Sequence, residues 1–344
     1  MNRQLGYHAV FGSGGSKAIL GGAGAIAAFE IAGMREWLSI GSCSGGSLPG
    51  VFLASGKPAA QVLGDVVNTD FESLLRPKAG LVFRVLALLM KYRNELRRPQ
   101  RGVYSAAPLG AFVRSQVGEW PERFWTVSSG KRGAYVFAKN QRFFEKGDVK
   151  VDSALPALPL AEAVMASCAV PGIIDGVRYA RDLLHDGALT HYGECPAAVP
   201  VRYFGARPEQ VIAFDIEPEP LKQRSWLRLA WQAACMGQCA PFDAVHLPSD
   251  GGYIVIRPNI TGFHGLQFSL DRATKWNAIC TGFEATAATL LAHGLVHNSG
   301  RRAALRRISH RICKIRSGSS TCSFSAEIEA LMAEHELFAF RRKQ

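Results

Sequence analysis

The sequence predicts an α/β fold built on a central, mainly parallel sheet. Short apolar runs that read as buried strands recur along its 344 residues, the first two of them lead into tight glycine-containing turns, and helical stretches follow those turns. Tyr7 to Phe11 reads as the first strand, Gly12 to Ala18 as a glycine loop, and about Leu20 to Ala32 as an alanine-rich helix stopped by Gly33. Glu36 to Ile40 reads as a second strand, and Leu48 to Ala54 starts another helix directly after a turn. Further strands are expected at Ala134 to Ala138, Val211 to Asp215 and Tyr253 to Ile256, with helices between them. No internal repeat or long linker divides this pattern.

Composition narrows the class. At 48% hydrophobic residues the chain has ample material for a core. The longest uninterrupted apolar run, Val85 to Met90, is far short of the roughly 18 residues of a spanning helix. The segment from Leu81 to Tyr92, followed by Arg93, Arg97, Arg98 and Arg101, reads as a core helix with a basic end, or as a lid or interfacial helix. The first residues carry no apolar signal-peptide core, so a cytoplasmic location is expected. Eight scattered cysteines include one close pair, Cys235 and Cys239, without a partner pair of zinc type. Reduced thiols, no metal and no cofactor are the expectation. The net charge is +12, and residues 299–344 hold ten Lys/Arg against four Glu. That bias favours anionic partners, although no nucleic-acid-binding motif accompanies it, so nucleic acid is not expected.

Three stretches carry chemistry. The loop FGSGGSKA lacks the glycine of a dinucleotide fingerprint where Lys17 sits and the glycine before lysine of a P-loop where Ser16 sits. Its backbone N–H groups suit an oxyanion instead. The second turn, Gly41-Ser42-Cys43-Ser44-Gly45-Gly46, has the strand–turn–helix context of a nucleophile elbow, and it can be framed on the Cys43 thiol or on the Ser44 hydroxyl. The third, Leu183-Leu184-His185-Asp186-Gly187-Ala188, puts a carboxylate at a strand end before a glycine.

Together these stretches resemble the patatin-like phospholipases, from about Tyr7 to His297. The family's G-G-G-x-[KR]-G loop corresponds to Ser13, Gly14, Gly15, Ser16, Lys17 and Ala18, so its first and last glycines are replaced. Its G-x-S-x-G elbow fits Ser42-Cys43-Ser44-Gly45-Gly46 only with Ser44 at the centre, and its D-G-[GA] motif is matched by Asp186-Gly187-Ala188. The approach to that aspartate, with Ala166-Ser167 and Pro171, and the late stretch GFHGLQFSLD are also similar to the family.

The resemblance implies a three-layer α/β/α patatin-like fold and a Ser–Asp dyad without catalytic histidine. Ser44 would be the nucleophile and Asp186 the base, with Gly14, Gly15, Ser16 and Lys17 around the oxyanion. The implied substrates are phospholipids or lysophospholipids. An esterase for neutral or soluble esters, or a degenerate lipid-binding protein given the replacements at Ser13, Ala18 and Ser42, remain as alternatives. His185, beside Asp186, should face the opposite side of its strand.

The expected organisation is a patatin-like acyl hydrolase domain over 1–298 and a basic, partly amphipathic extension over 299–344. In that extension Leu305, Ile308, Ile312 and Ile315 recur at helical spacing among Arg302, Arg306, Arg307, Arg311, Lys314 and Arg316. This stripe can pack on the core, or the segment from Arg301 to Arg316 can lie peripherally on an anionic membrane surface.

Overall fold

The computed structural model describes residues 6–77, 102, 104–146, 149–151, 155–216, 247 and 251–338. The Leu81 to Tyr92 segment with its arginines, and the Cys235 and Cys239 pair, lie outside the described residues. In chain order the elements begin with β1 (Tyr7–Phe11), α1 (Ser16–Ala32), β2 (Trp37–Ser42), α2 (Ser47–Ala54) and α3 (Ala59–Asn68). The short pair β3 (Arg76–Pro77) and β4 (Tyr104–Ser105) precedes α4 (Ala107–Val117), β5 (Phe124–Gly130), β6 (Gly133–Ala138), β7 (Arg142–Lys146) and β8 (Val149–Val151). Then come α5 (Leu160–Ser167), β9 (Val177–Tyr179), β10 (Asp182–Asp186), α6 (Ala198–Tyr203), β11 (Val211–Phe214), β12 (Ile254–Ile256), α7 (Arg272–Ala292), α8 (Ser299–Gly318) and α9 (Thr321–Glu334).

The main sheet runs β12-β11-β1-β2-β5-β6-β7-β8, with β10 also paired to β5 and β9 to β10. Strands β12, β11, β1, β2 and β5 are mutually parallel. From β5 outward, β6, β7 and β8 pair antiparallel, as do β10 and β9. The parallel strands are apolar on both sides because both faces are covered. Ala9 and Phe11 of β1, with Ile212 and Phe214 of β11, belong to the core under α1 and α7. Val10, Val211, Ala213, Trp125 and Val127 face a second core beneath α6 and residues 192–197. Side chains alternate with the strand pleat, so one stretch of chain feeds both layers and makes the α/β/α sandwich.

Helix α1 is buried along nearly its whole length. It can be, because its small residues admit neighbouring backbone: a Cβ on Gly24 would lie 2.0 Å from the Ile279 carbonyl oxygen of α7, and one on Gly282 of α7 would lie 2.1 Å from the Gly21 carbonyl oxygen. Its end is fixed by Gly33 at φ 78°, whose N–H reaches the Glu30 and Phe29 carbonyls.

No break in packing falls at residue 298. Asn298 caps α8 by accepting the Arg301 N–H at 3.0 Å. Leu305, Ile308 and Ile312 of α8 and Ile328, Leu331 and Met332 of α9 are fully buried in the same core as α1 and α7. The aliphatic stripe of the C-terminal segment is therefore used in packing, while Arg302, Arg306, Arg307 and Lys314 stay exposed. Among the described residues, no helix is long and apolar enough to cross a membrane.

Candidate active site

The parallel strands β1 and β2 deliver the two glycine turns side by side. At the end of β2, Cys43 is extended and Ser44 opens a short 3-10 turn that leads into α2. Ser44 has φ 51°, a left-handed conformation unusual for a residue with a side chain. Such strain persists only where surroundings enforce it. Here the Ser44 N–H donates to Ser167 Oγ at 3.0 Å, and the Cys168 thiol donates to the Ser44 carbonyl at 3.0 Å. On the other side the turn rests on the glycine loop: Cβ atoms on Gly45 and Gly46 would meet the carbonyl oxygens of Gly15 and Gly12 at 2.3 Å and 2.4 Å. Glycine at both positions follows from that backbone contact.

Ser42, where the family's elbow has glycine, fits without displacing anything. Its hydroxyl donates to Ser47 Oγ at 3.2 Å, and the residue facing its Cβ is Gly50, where any side chain would crowd it. Ala18, at another of the three departures, is fully buried. The Cys43 side chain is completely buried, and burial holds its thiol well above its usual pKa and therefore protonated.

Ser44 Oγ instead donates to Asp186 Oδ2 at 2.7 Å, across 142 positions of sequence. Asp186 ends β10 opposite Ser128 of β5, and its other carboxylate oxygen, Oδ1, accepts the Ala188 N–H at 2.9 Å. Gly187 is required there, because a Cβ would lie 2.3 Å from the Val127 carbonyl oxygen and 3.1 Å from Cys43 Sγ. Asp186 is only 4% exposed. Burial raises its pKa to about 7, against the opposing pull of its hydrogen bonds from Ser44 and Ala188. His185 packs toward Gly176, and burial lowers its pKa.

The glycine loop divides its N–H groups by use. Gly12 donates to the Phe214 carbonyl at 2.8 Å and Ser13 to that of Glu194 at 2.7 Å, which ties the loop to β11 and to the segment after Asp186. Gly14 and Gly15, at φ 139° and 57°, have no acceptor among the described residues. They lie at the N-terminus of α1, where the helix dipole favours negative charge. Ser16, expected beside them as a donor, is otherwise engaged: its N–H and hydroxyl both donate to the Gly265 carbonyl, at 2.7 Å and 3.0 Å. Lys17 donates its N–H to the Gly14 carbonyl at 3.2 Å, and its buried ammonium lies 5.8 Å from the centre of the Phe263 ring. Lys17 thus spends its backbone N–H within the loop, and its side chain brings positive charge to the start of α1.

Ser167, Cys168 and Gly265 were not singled out by sequence as site residues, although both stretches containing them carried the family resemblance. Their contacts span 123, 124 and 249 positions, and nothing local announces such pairings. Among the described residues no three His, Cys, Asp or Glu side chains converge as metal ligands.

The structure is similar to that of VipD from Legionella pneumophila, with a TM-score of 0.49 and 14% identity over 96% of this chain and 80% of that one. A comparison with curated proteins returns no match. Residues 9–196, more than half of the chain, match the family model described as patatin-like phospholipase, and the matched span holds both glycine turns, Ser44 and Asp186: the chain belongs to the patatin-like phospholipases.

Proposed function

We propose that this protein hydrolyses carboxylic esters of phospholipids or lysophospholipids through an acyl-Ser44 intermediate, with Asp186 as the general base. The observation that supports this most is the 2.7 Å hydrogen bond from Ser44 Oγ to a carboxylate buried enough to have its pKa raised to about 7. An ordinary aspartate is a weak base toward a hydroxyl, and a desolvated one is closer to the working pH.

In the proposed sequence Asp186 takes the Ser44 proton as Oγ bonds to the ester carbonyl carbon. The tetrahedral oxyanion lies against the N–H groups of Gly14 and Gly15. Collapse breaks the ester C–O bond, and Asp186 returns the proton to the departing alcohol. Water then attacks the acyl-Ser44 carbonyl while Asp186 accepts its proton. The second tetrahedral intermediate releases the fatty acid, and Ser44 Oγ recovers the proton. For access to substrate we propose that the exposed Arg302, Arg306, Arg307 and Lys314 of α8 attract the protein to anionic lipid. The first turn of α8 sits against the C-terminal end of α1, with Arg301 reaching the Ala32 carbonyl. That is about 25 Å from the glycine loop at 1.5 Å per residue.

Mass spectrometry of products from mixed phospholipids, lysophospholipids and soluble short-chain esters tests the reading. Fatty acid release from lipid by the parent protein and none by Ser44→Ala is expected. Turnover confined to soluble esters would favour the esterase reading, and no turnover of any ester the lipid-binding one.

A further inference from the structure

The Gly265 carbonyl is the acceptor for both donors of Ser16, the residue that follows the two glycines with unengaged N–H groups. A Cβ on Gly15 would lie 2.0 Å from that same oxygen, and a Cβ on Gly265 would lie 2.6 Å from the Gly14 carbonyl oxygen and 3.8 Å from the Gly15 nitrogen. Gly15 in turn bears on Gly45 of the elbow. Three backbone segments are therefore stacked without an intervening side chain: residue 265, the glycine loop, and the turn carrying Ser44. The loop and the turn carry the proposed chemistry, and residue 265 backs the loop from the far side.

We propose that Gly265 is a positioning residue for the reaction, a deepening that rests on the acyl-Ser44 mechanism. Its carbonyl holds Ser16 so that the N–H of Ser16 is turned away from the oxyanion, leaving Gly14 and Gly15 as its backbone donors. The double acceptance resists rotation of the loop, because turning the Gly14 and Gly15 N–H groups away would break both Ser16 bonds. The missing side chain has its own consequence. Residue 265 has no backbone conformation that demands glycine, so what forbids a Cβ is the loop itself. A methyl there pushes on the Gly14 carbonyl and moves the peptide groups that carry the Gly14 and Gly15 N–H donors. Oxyanion stabilisation depends steeply on that aim, and loss of a single donor lowers turnover on the order of 100-fold.

The test compares the parent, Gly265→Ala, Ser16→Ala and Ser44→Ala by kcat, KM and the number of sites titrated by a fluorophosphonate. Gly265→Ala should lose about tenfold or more of kcat per titrated site, with KM within about threefold, because the ground-state ester does not use the hole. A smaller loss, or one explained by fewer titratable sites at unchanged kcat per site, overturns the proposal. If Gly265→Ala does not fold, Ser16→Ala decides: it removes the hydroxyl bond and keeps the N–H bond, and should lower kcat per site by about threefold or more at unchanged KM, whereas unaltered kcat refutes it. An active Ser44→Ala, or a parent that the probe does not label, would instead defeat the acyl-Ser44 mechanism and this inference with it.

Discussion

Protonating Asp186 should silence the enzyme at a pH where most carboxylates are still charged. The group is 4% exposed and its pKa is raised to about 7, chiefly by desolvation. Only the ionised form can accept the Ser44 proton, so kcat/KM should fall on an acidic limb of unit slope. Two units below that pKa, near pH 5, about 1% of the sites remain ionised, so the rate should be about 100-fold below its plateau. The same shift bears on stability with a definite sign. Because the folded pKa lies above the unfolded value, proton retention stabilises the fold below about pH 4, and that contribution is lost as pH rises through about 7. A pKa of about 7 in place of the ordinary carboxylate value is worth up to about 4 kcal/mol, which is the cost of keeping the buried carboxylate charged at pH 8. Asp186→Asn should therefore be inactive yet more stable than the parent at pH 8, and the difference should vanish toward pH 4. The assay is kcat/KM on a soluble short-chain ester from pH 4.5 to 9 at constant ionic strength, with samples returned to pH 8 to exclude denaturation, beside urea unfolding of both proteins. A limb with its midpoint near 4, or an Asn variant less stable at every pH, would refute the desolvated-base argument.

Ser167→Ala should leave the buried Ser44 N–H without its acceptor and cost about 1–3 kcal/mol, read by urea unfolding, with a fall in kcat as the strained turn relaxes. Leu305→Ala should cost about 2–5 kcal/mol because the side chain is fully buried, and a chain ending at Asn298 should not fold to a stable monomer, seen by circular dichroism and size exclusion. Reversing charge with Arg302→Glu and Arg306→Glu should leave unfolding unchanged but abolish flotation with anionic liposomes at low salt; flotation indifferent to these changes removes α8 from membrane contact. Turnover should be indifferent to a chelator, and strong inhibition would contradict a mechanism that runs on Ser44 and Asp186 alone.

Much of the parallel half of the fold was legible because β1 and β2 leave local marks, an apolar run, a glycine turn and a helix start, and β11 and β12 leave an apolar run. Tyr7 to Phe11 matches β1, and Gly33 closes α1 as expected. Helix α1 starts earlier than its alanine-rich stretch, at Ser16, because the glycine loop passes directly into it. On the antiparallel flank the strand at Ala134 to Ala138 was legible and is β6, and the carboxylate at a strand end is Asp186 of β10, but the pairing of these strands with β5 was not. Phe124–Gly130 ends in Ser-Ser-Gly, whose partners on β6 and β10 are set by tertiary pairing and not by any alternation in the run itself. In the site, Ser44 and Asp186 could be named from motifs, and the structure brings them to 2.7 Å. That Ser16 would turn to Gly265 could not be foreseen, since two backbone segments meeting glycine to glycine leave no side-chain signature in either.

The proposed chemistry turns on which atom attacks the ester. Labelling the parent protein with a fluorophosphonate, digesting it and mapping the adduct by peptide mass spectrometry should place the adduct on Ser44 alone, with labelling lost in Ser44→Ala and kept in Cys43→Ala. An adduct on Cys43, or lipid hydrolysis that persists in Ser44→Ala, would contradict the central claim.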